Sequence, residues 1–127
     1  MEITTHNKIN NRLCGLPLET RKGYSRVGMK TDEIMAVDES GLVHGGFIFG
    51  LADHAAMIAV NHPNVVLGSS EVKFQKPVKV NDILIAEAKV TEIKNKKQSV
   101  GVAVKRGSDV VFEGSFTCFV LDKHVLE

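Results

Sequence analysis

Apolar and polar positions along this chain change their period once, and that change organises everything else. From Phe47 to Val60 nearly every side chain is apolar or small. Such a run is too long for a strand and has the pattern of a helix enclosed on most sides. The predicted helix spans about Gly45 to Val60, and Asn61-His62-Pro63-Asn64 stops it. After it, apolar residues alternate with polar ones. Val65 to Gln75, Ile83 to Ile93, Gln98 to Lys105 and Val110 to Leu121 read as strands, separated in part by turns at Asn81-Asp82, Asn95-Lys96-Lys97 and Arg106 to Asp109. Val100, Val102 and Val104 share one face of the third run. Phe112, Phe116, Cys118 and Val120 share one face of the fourth.

Before the long helix, Thr5 is expected to cap a short helix running to about Leu13, ended by Gly15 and Pro17. Gly23 to Thr31 reads as a strand in which Ser25, Val27 and Met29 alternate against Tyr24, Arg26, Gly28 and Lys30. Asp32 to Val43 is a loop with strong turn chemistry at Asp38-Glu39-Ser40-Gly41. One apolar helix with about five antiparallel strands, the last four in a meander, has one economical solution: an α+β domain over residues 1–127 whose sheet curls around the helix. A helix apolar nearly all round exceeds what one sheet covers, so part of it is expected to meet a second subunit.

The composition narrows the function classes. With 127 residues, 43% hydrophobic content and a net charge of +1, the chain has neither the basic footprint of a nucleic-acid binder nor a run that would span a bilayer. Cys14 and Cys118 provide neither a disulfide framework nor metal-ligand spacing. The start Met1 to His6 has no secretory pattern, so a cytoplasmic protein is expected.

Chemistry concentrates on the long helix. Asp53 is a carboxylate in an apolar run, costly without a partner or a task. It reads either as a base or nucleophile of raised pKa, or as a paired structural carboxylate. Gly45 and Gly46 present bare amides at the helix start, where negative charge is favoured; the alternative is a tight turn with no ligand. At 100° per residue, Gly46, Phe49, Gly50, Ala56, Met57 and Val60 share the Asp53 face, and Ile48, Leu51, Ala55 and Ile58 oppose it. Gly45 and Asp53 are eight residues apart, roughly 12 Å along a helix, so one carbonyl reaches both only across two subunits. His44 is expected to bond loop backbone and shape the helix start, and His54 to sit beside the seam. The spacings among His44, His54 and His62 fit no metal-ligand pattern.

His44-Gly45-Gly46 followed by Leu51-Ala52-Asp53, together with Phe74-Gln75-Lys76-Pro77-Val78, resembles the hotdog-fold acyl-CoA thioesterases of the phenylacetate-pathway (PaaI-type) branch. The nine-residue step from His44 to Asp53 is that branch's spacing. The resemblance implies hydrolysis of an acyl or aryl-acyl thioester by a homodimer or dimer of dimers, with no cofactor or metal and with coenzyme A as part of the substrate. It implies Asp53, Gly45, Gly46 and His44 at the catalytic centre. Asp38, Phe47, Phe49, Met57, Ser69 and Ser70 would lie against substrate. Asp38 departs from the branch, which has Asn six residues before the His; an acceptor-only group stands where a donor is expected. Lys73, Lys76, Lys79, Lys96, Lys97, Lys105 and Arg106 are the available phosphate donors. Two other functions compatible with these residues are an enoyl-thioester hydratase or dehydratase, and a non-catalytic acyl-CoA-binding protein.

Overall fold

A computed structural model describes residues 1–127. The helix start and the Asp53 turn are held in place by a six-stranded antiparallel sheet with the order β1-β2-β4-β5-β6-β3. The strands are β1 (Leu16–Arg21), β2 (Tyr24–Lys30), β3 (Val65–Phe74), β4 (Ile83–Lys94), β5 (Lys97–Arg106) and β6 (Asp109–Val120). The short helix α1 (Asn11–Cys14) precedes β1, and the long helix α2 (Gly45–Val60) lies between β2 and β3. This is the hotdog arrangement, with the sheet curled around α2. No helix is long and apolar enough to cross a membrane.

The inward faces follow the alternation. Ser25, Val27 and Met29 of β2, Leu84, Ala86 and Ala88 of β4, and Val100, Val102 and Val104 of β5 are buried against Ile48, Leu51 and Ala55 of α2. Ser25 is the one polar residue in that layer, and its hydroxyl donates to the Ala55 carbonyl at 2.6 Å. The core stays closed because this donor is satisfied within it.

Three expectations are corrected. The sheet has six strands, not five, because Leu16–Arg21 forms an edge strand. Pro17 reads as a terminator, yet an edge strand tolerates a residue without an N–H, and the register slips between Pro17 and Glu19 to absorb it. The last four strands are not a meander. β4, β5 and β6 are, but β3 crosses to the far side and pairs with β6. The first helix is capped by Asn10, whose side chain accepts from the amides of Arg12 and Leu13, and not by Thr5.

Thr5 is instead buried, with its hydroxyl 2.7 Å from His6 Nδ1. The N-terminal residues form a strap over the C-terminal end of α2. Asn61, in the left-handed conformation at φ 53°, accepts from the Thr4 amide at 2.8 Å and donates to the Glu2 carbonyl at 2.8 Å. His6, in the strap, stacks on buried His54 with centroids 6.2 Å apart.

Candidate functional site

The start of α2 is fixed by backbone bonds on both sides. Residues 36–43 form a hairpin closed by the Ala36–Val43 bridge. The Val43 amide donates to Val78 and the His44 amide to Met35. α2 then opens at Gly45 with His44 as the N-cap, whose side chain makes no capping bond. The amides of Gly45 and Gly46 donate to no backbone acceptor, as expected for the first turn of a helix. The His44 ring is not bonded to loop backbone as expected. It packs edge-on against Phe47 at 6.2 Å and lies over Gly46, where an added Cβ would meet its ring at 2.9 Å.

Two turns on, Asp53 is half-buried. Its Oδ1 is sealed from solvent and has no hydrogen-bond partner. Burial pushes its pKa up, with no opposing cation. Two thiols, Cys14 and Cys118, feel its charge. Burial and, secondarily, the Asp53 charge raise Cys14 and push Cys118 up to about 12. The alternative of a paired structural carboxylate therefore finds no partner in the chain.

The Asp53 face lies against the β6 side of the sheet. Phe49 packs on Phe116 at 5.5 Å and on Phe112 at 6.4 Å. Gly50 has nothing within 4 Å of where a Cβ would stand. Phe47, Phe49 and Gly50 remain partly exposed, as does Val60. Met57 departs from the expected acyl wall: it is 1% exposed and belongs to the core, so it offers a ligand no surface. Ala56 is buried with it, at the end of α2 that the strap and α1 overlie. His54 is likewise not at a seam. It is 2% exposed, its Nδ1 donates to the Cys14 carbonyl at 3.1 Å, and its Nε2 is buried without a partner.

Ser69 and Ser70 are both exposed on β3 and lie on opposite faces. Ser70 sits across from buried Phe116 and so faces the helix side; Ser69 sits across from Thr117 and faces outward. Only Ser70 shares the face of Asp53. Asp38 is exposed at the hairpin tip, where its Oδ1 accepts from the Ser40 hydroxyl at 2.6 Å and the Ser40 amide at 3.0 Å. The Ser40 hydroxyl holds its carboxyl below the ordinary carboxylate range. The chain thus spends Asp38 on a turn. Of the candidate phosphate donors, Lys76, Lys96 and Arg106 are paired with Asp109, Asp122 and Asp82, which leaves Lys73, Lys79, Lys97 and Lys105 free of ion pairs.

Sequence reasoning missed Phe74 as a site residue. It ends β3, is 54% exposed, and stands at Gly45: a Cβ on that glycine would lie 3.1 Å from the ring. Two clefts of about 610 Å³ open on the outer face of the sheet, and neither includes the glycine pair or Asp53.

The sequence profile of the thioesterase superfamily matches residues 40–113, from the hairpin through α2 to β6. Among curated proteins, methylthioribose-1-phosphate isomerase of Aquifex aeolicus is 54% identical over 123 residues, 96% of this chain and 27% of that protein. Transcription factor FapR of Caldanaerobacter subterraneus is 30% identical over 112 residues, 88% of this chain and 56% of that protein. The chain thus spans about a quarter and about half of these relatives. Among solved structures, a protein of Pyrococcus horikoshii superposes with a TM-score of 0.99 at 54% identity, covering 100% of this chain and 98% of that one. A hypothetical thioesterase of Streptococcus pneumoniae with coenzyme A superposes with a TM-score of 0.77 at 20% identity, covering 86% and 87%; that likeness is one of fold.

Proposed function

The chain belongs to the thioesterase superfamily, and from that premise we propose that it is a cofactor-free acyl-CoA thioesterase. It acts as a homodimer or dimer of dimers on an acyl or aryl-acyl thioester. The observation that carries this is the pairing on one helix of two unengaged amides, Gly45 and Gly46, with a partnerless carboxylate oxygen on Asp53. Their separation, roughly 12 Å along α2, assigns the two groups to different protomers at each site. The bare outer edge of β3, the exposed Phe74 and the open space at Gly50 leave surface for a second chain and so support this reading.

In this reading the thioester oxygen rests on the Gly45 and Gly46 amides of one subunit, which stabilise its developing negative charge. Asp53 of the other takes a proton from water as the water oxygen bonds to the carbonyl carbon. Collapse of the tetrahedral intermediate breaks the carbon–sulfur bond, and the thiolate leaves and takes up a proton. Direct attack by Asp53 through an anhydride is the other route, resolved by the same water. A raised pKa fits both: the desolvated anion is the stronger base and the stronger nucleophile. Coenzyme A as the thiol is supported by the fold shared with the Streptococcus protein, and Lys73, Lys79, Lys97 and Lys105 remain to meet its phosphates.

The test is hydrolysis of an acyl-CoA panel by wild type and Asp53→Asn. Turnover is expected to fall by about two orders of magnitude or more. Retained turnover would remove Asp53 from the chemistry. The identity to a transcription factor favours one second reading, an acyl-CoA-binding protein without turnover. Binding by wild type that Asp53→Ala leaves unchanged, with no hydrolysis, would select it.

A further inference from the structure

We infer that Phe74 is the specificity-determining residue of this site. Its ring forms the side wall of the carbonyl cradle and selects against acyl groups branched at the carbon next to the carbonyl. The inference rests on the thioesterase reading for its chemistry, but its contact with the acyl group does not depend on turnover.

The geometry is local. Phe74 Cε1 lies 3.1 Å from the point where a Cβ on Gly45 would stand, and Cδ1 and Cζ lie 3.6 Å from it. The ring therefore flanks the residue whose amide is free. An oxygen accepting from that amide sits about 3 Å from its nitrogen. A carbonyl that approaches this amide on the Phe74 side brings the substituents on its carbon against the ring. Gly45 leaves room for this approach.

The ring is also held. Its inner edge meets Phe112 at 5.0 Å in a T-shaped contact, and Phe112 is fully buried. Phe112 in turn meets Phe49, which lies one turn before Asp53 on α2. The outer half of Phe74 is left in water at the end of an edge strand. An anchored, half-exposed aromatic beside two unengaged donors has the makeup of a ligand wall, apolar surface with a few convergent polar groups. A rigid wall discriminates by shape, and one misplaced methyl group in such a pocket is worth about 10- to 200-fold in kcat/KM.

Two measurements test this. Phe74→Ala is assayed on acetyl-CoA and on isobutyryl-CoA, which adds two α-methyl groups. The ratio of kcat/KM for isobutyryl-CoA over acetyl-CoA is expected to rise about tenfold or more relative to wild type. An unchanged ratio in an active variant overturns the inference. The chain has no tryptophan, so Phe74→Trp provides a single reporter. In an Asp53→Asn background the bound thioester persists, and acetyl-CoA binding followed by equilibrium dialysis is expected to shift or quench the Trp emission. Binding by dialysis with no change in emission overturns the inference, including the case of a blue-shifted emission, in which a second chain covers the ring. If wild type hydrolyses no thioester, the catalytic reading fails while the fluorescence arm still decides whether Phe74 meets the ligand.

Discussion

Proline at position 45 is the most searching single change for this site. Gly45 is the first residue of α2, a position whose amide has no helical acceptor and where proline is favoured. His44, which precedes it, has φ −62° and ψ 131°, inside the region a following proline demands. Gly45→Pro therefore deletes one amide donor and leaves the helix geometry intact. The new Cβ would lie 3.1 Å from the ring of Phe74, a crowding that Gly45→Ala shares. Relative to Gly45→Ala, stability is expected to rise by about 0.4–1 kcal/mol, because the unfolded chain loses freedom at that residue. Turnover is expected to fall about 10²- to 10³-fold, the loss of one oxyanion donor, worth roughly 3–4 kcal/mol. Gly45→Ala is the control: it adds the same Cβ and keeps the N–H. Both are assayed by acyl-CoA hydrolysis with thermal unfolding in parallel. A folded Gly45→Pro as active as Gly45→Ala would refute the role of this amide. Mixing Gly45→Pro with Asp53→Asn chains should restore about a quarter of wild-type turnover, since half the random dimers carry one intact composite site; no recovery despite subunit exchange would place both groups in one chain.

Asp53→Asn should also stabilise the fold. The native carboxyl has a raised pKa, so native chains bind more protons than unfolded ones above 3.8, and wild type loses stability as pH rises through that window. A gain of about 1 kcal/mol is expected near neutrality, the low end for an unsatisfied buried group because Asp53 is part-exposed, narrowing as the pH falls through the raised pKa of Asp53; a destabilised variant in neutral denaturant titrations contradicts this. Burial lowers the pKa of His6 and His54, and their mutual repulsion lowers His6 further. Native chains then bind fewer protons, so the denaturation midpoint should drop as pH falls below 6.5, with a shallower slope in His6→Asn. Asn61→Gly keeps the left-handed turn but releases the Thr4 and Glu2 bonds, costing about 1 kcal/mol and exposing the strap to protease. Asn61→Ala should cost about 1 kcal/mol more, for the same φ.

Much of this could be read along the chain because α2 and five strands announce themselves by local period. Gly45–Val60 and Lys97–Arg106 stand within a residue or so of their expected limits. Pairing was not local. Nothing in Val65–Phe74 states that its partner is β6 and not β4, a choice made by the crossing segment at Val78 and Lys79 that also bolts down the hairpin before α2. The site was half legible for the same reason. Asp53 and the glycines lie on one helix whose wheel is calculable. Met57 disappears into the core beneath residues that no wheel includes, and Phe74 reaches Gly45 through tertiary packing alone.

The position of β6 between β5 and β3 has a consequence for synthesis. β3 is made 35 residues before β6 begins, counting from Phe74 to Asp109, and has no hydrogen-bonding neighbour until then. On the ribosome the nascent chain must therefore carry α2 with one flank uncovered and β3 waiting. The sheet can zip shut only when β6 slots between its two neighbours. That late insertion, with its long-range pairings, is the step at which slow folding and off-target strand capture are concentrated. Any chaperone that shelters the chain would act up to that moment and not after it.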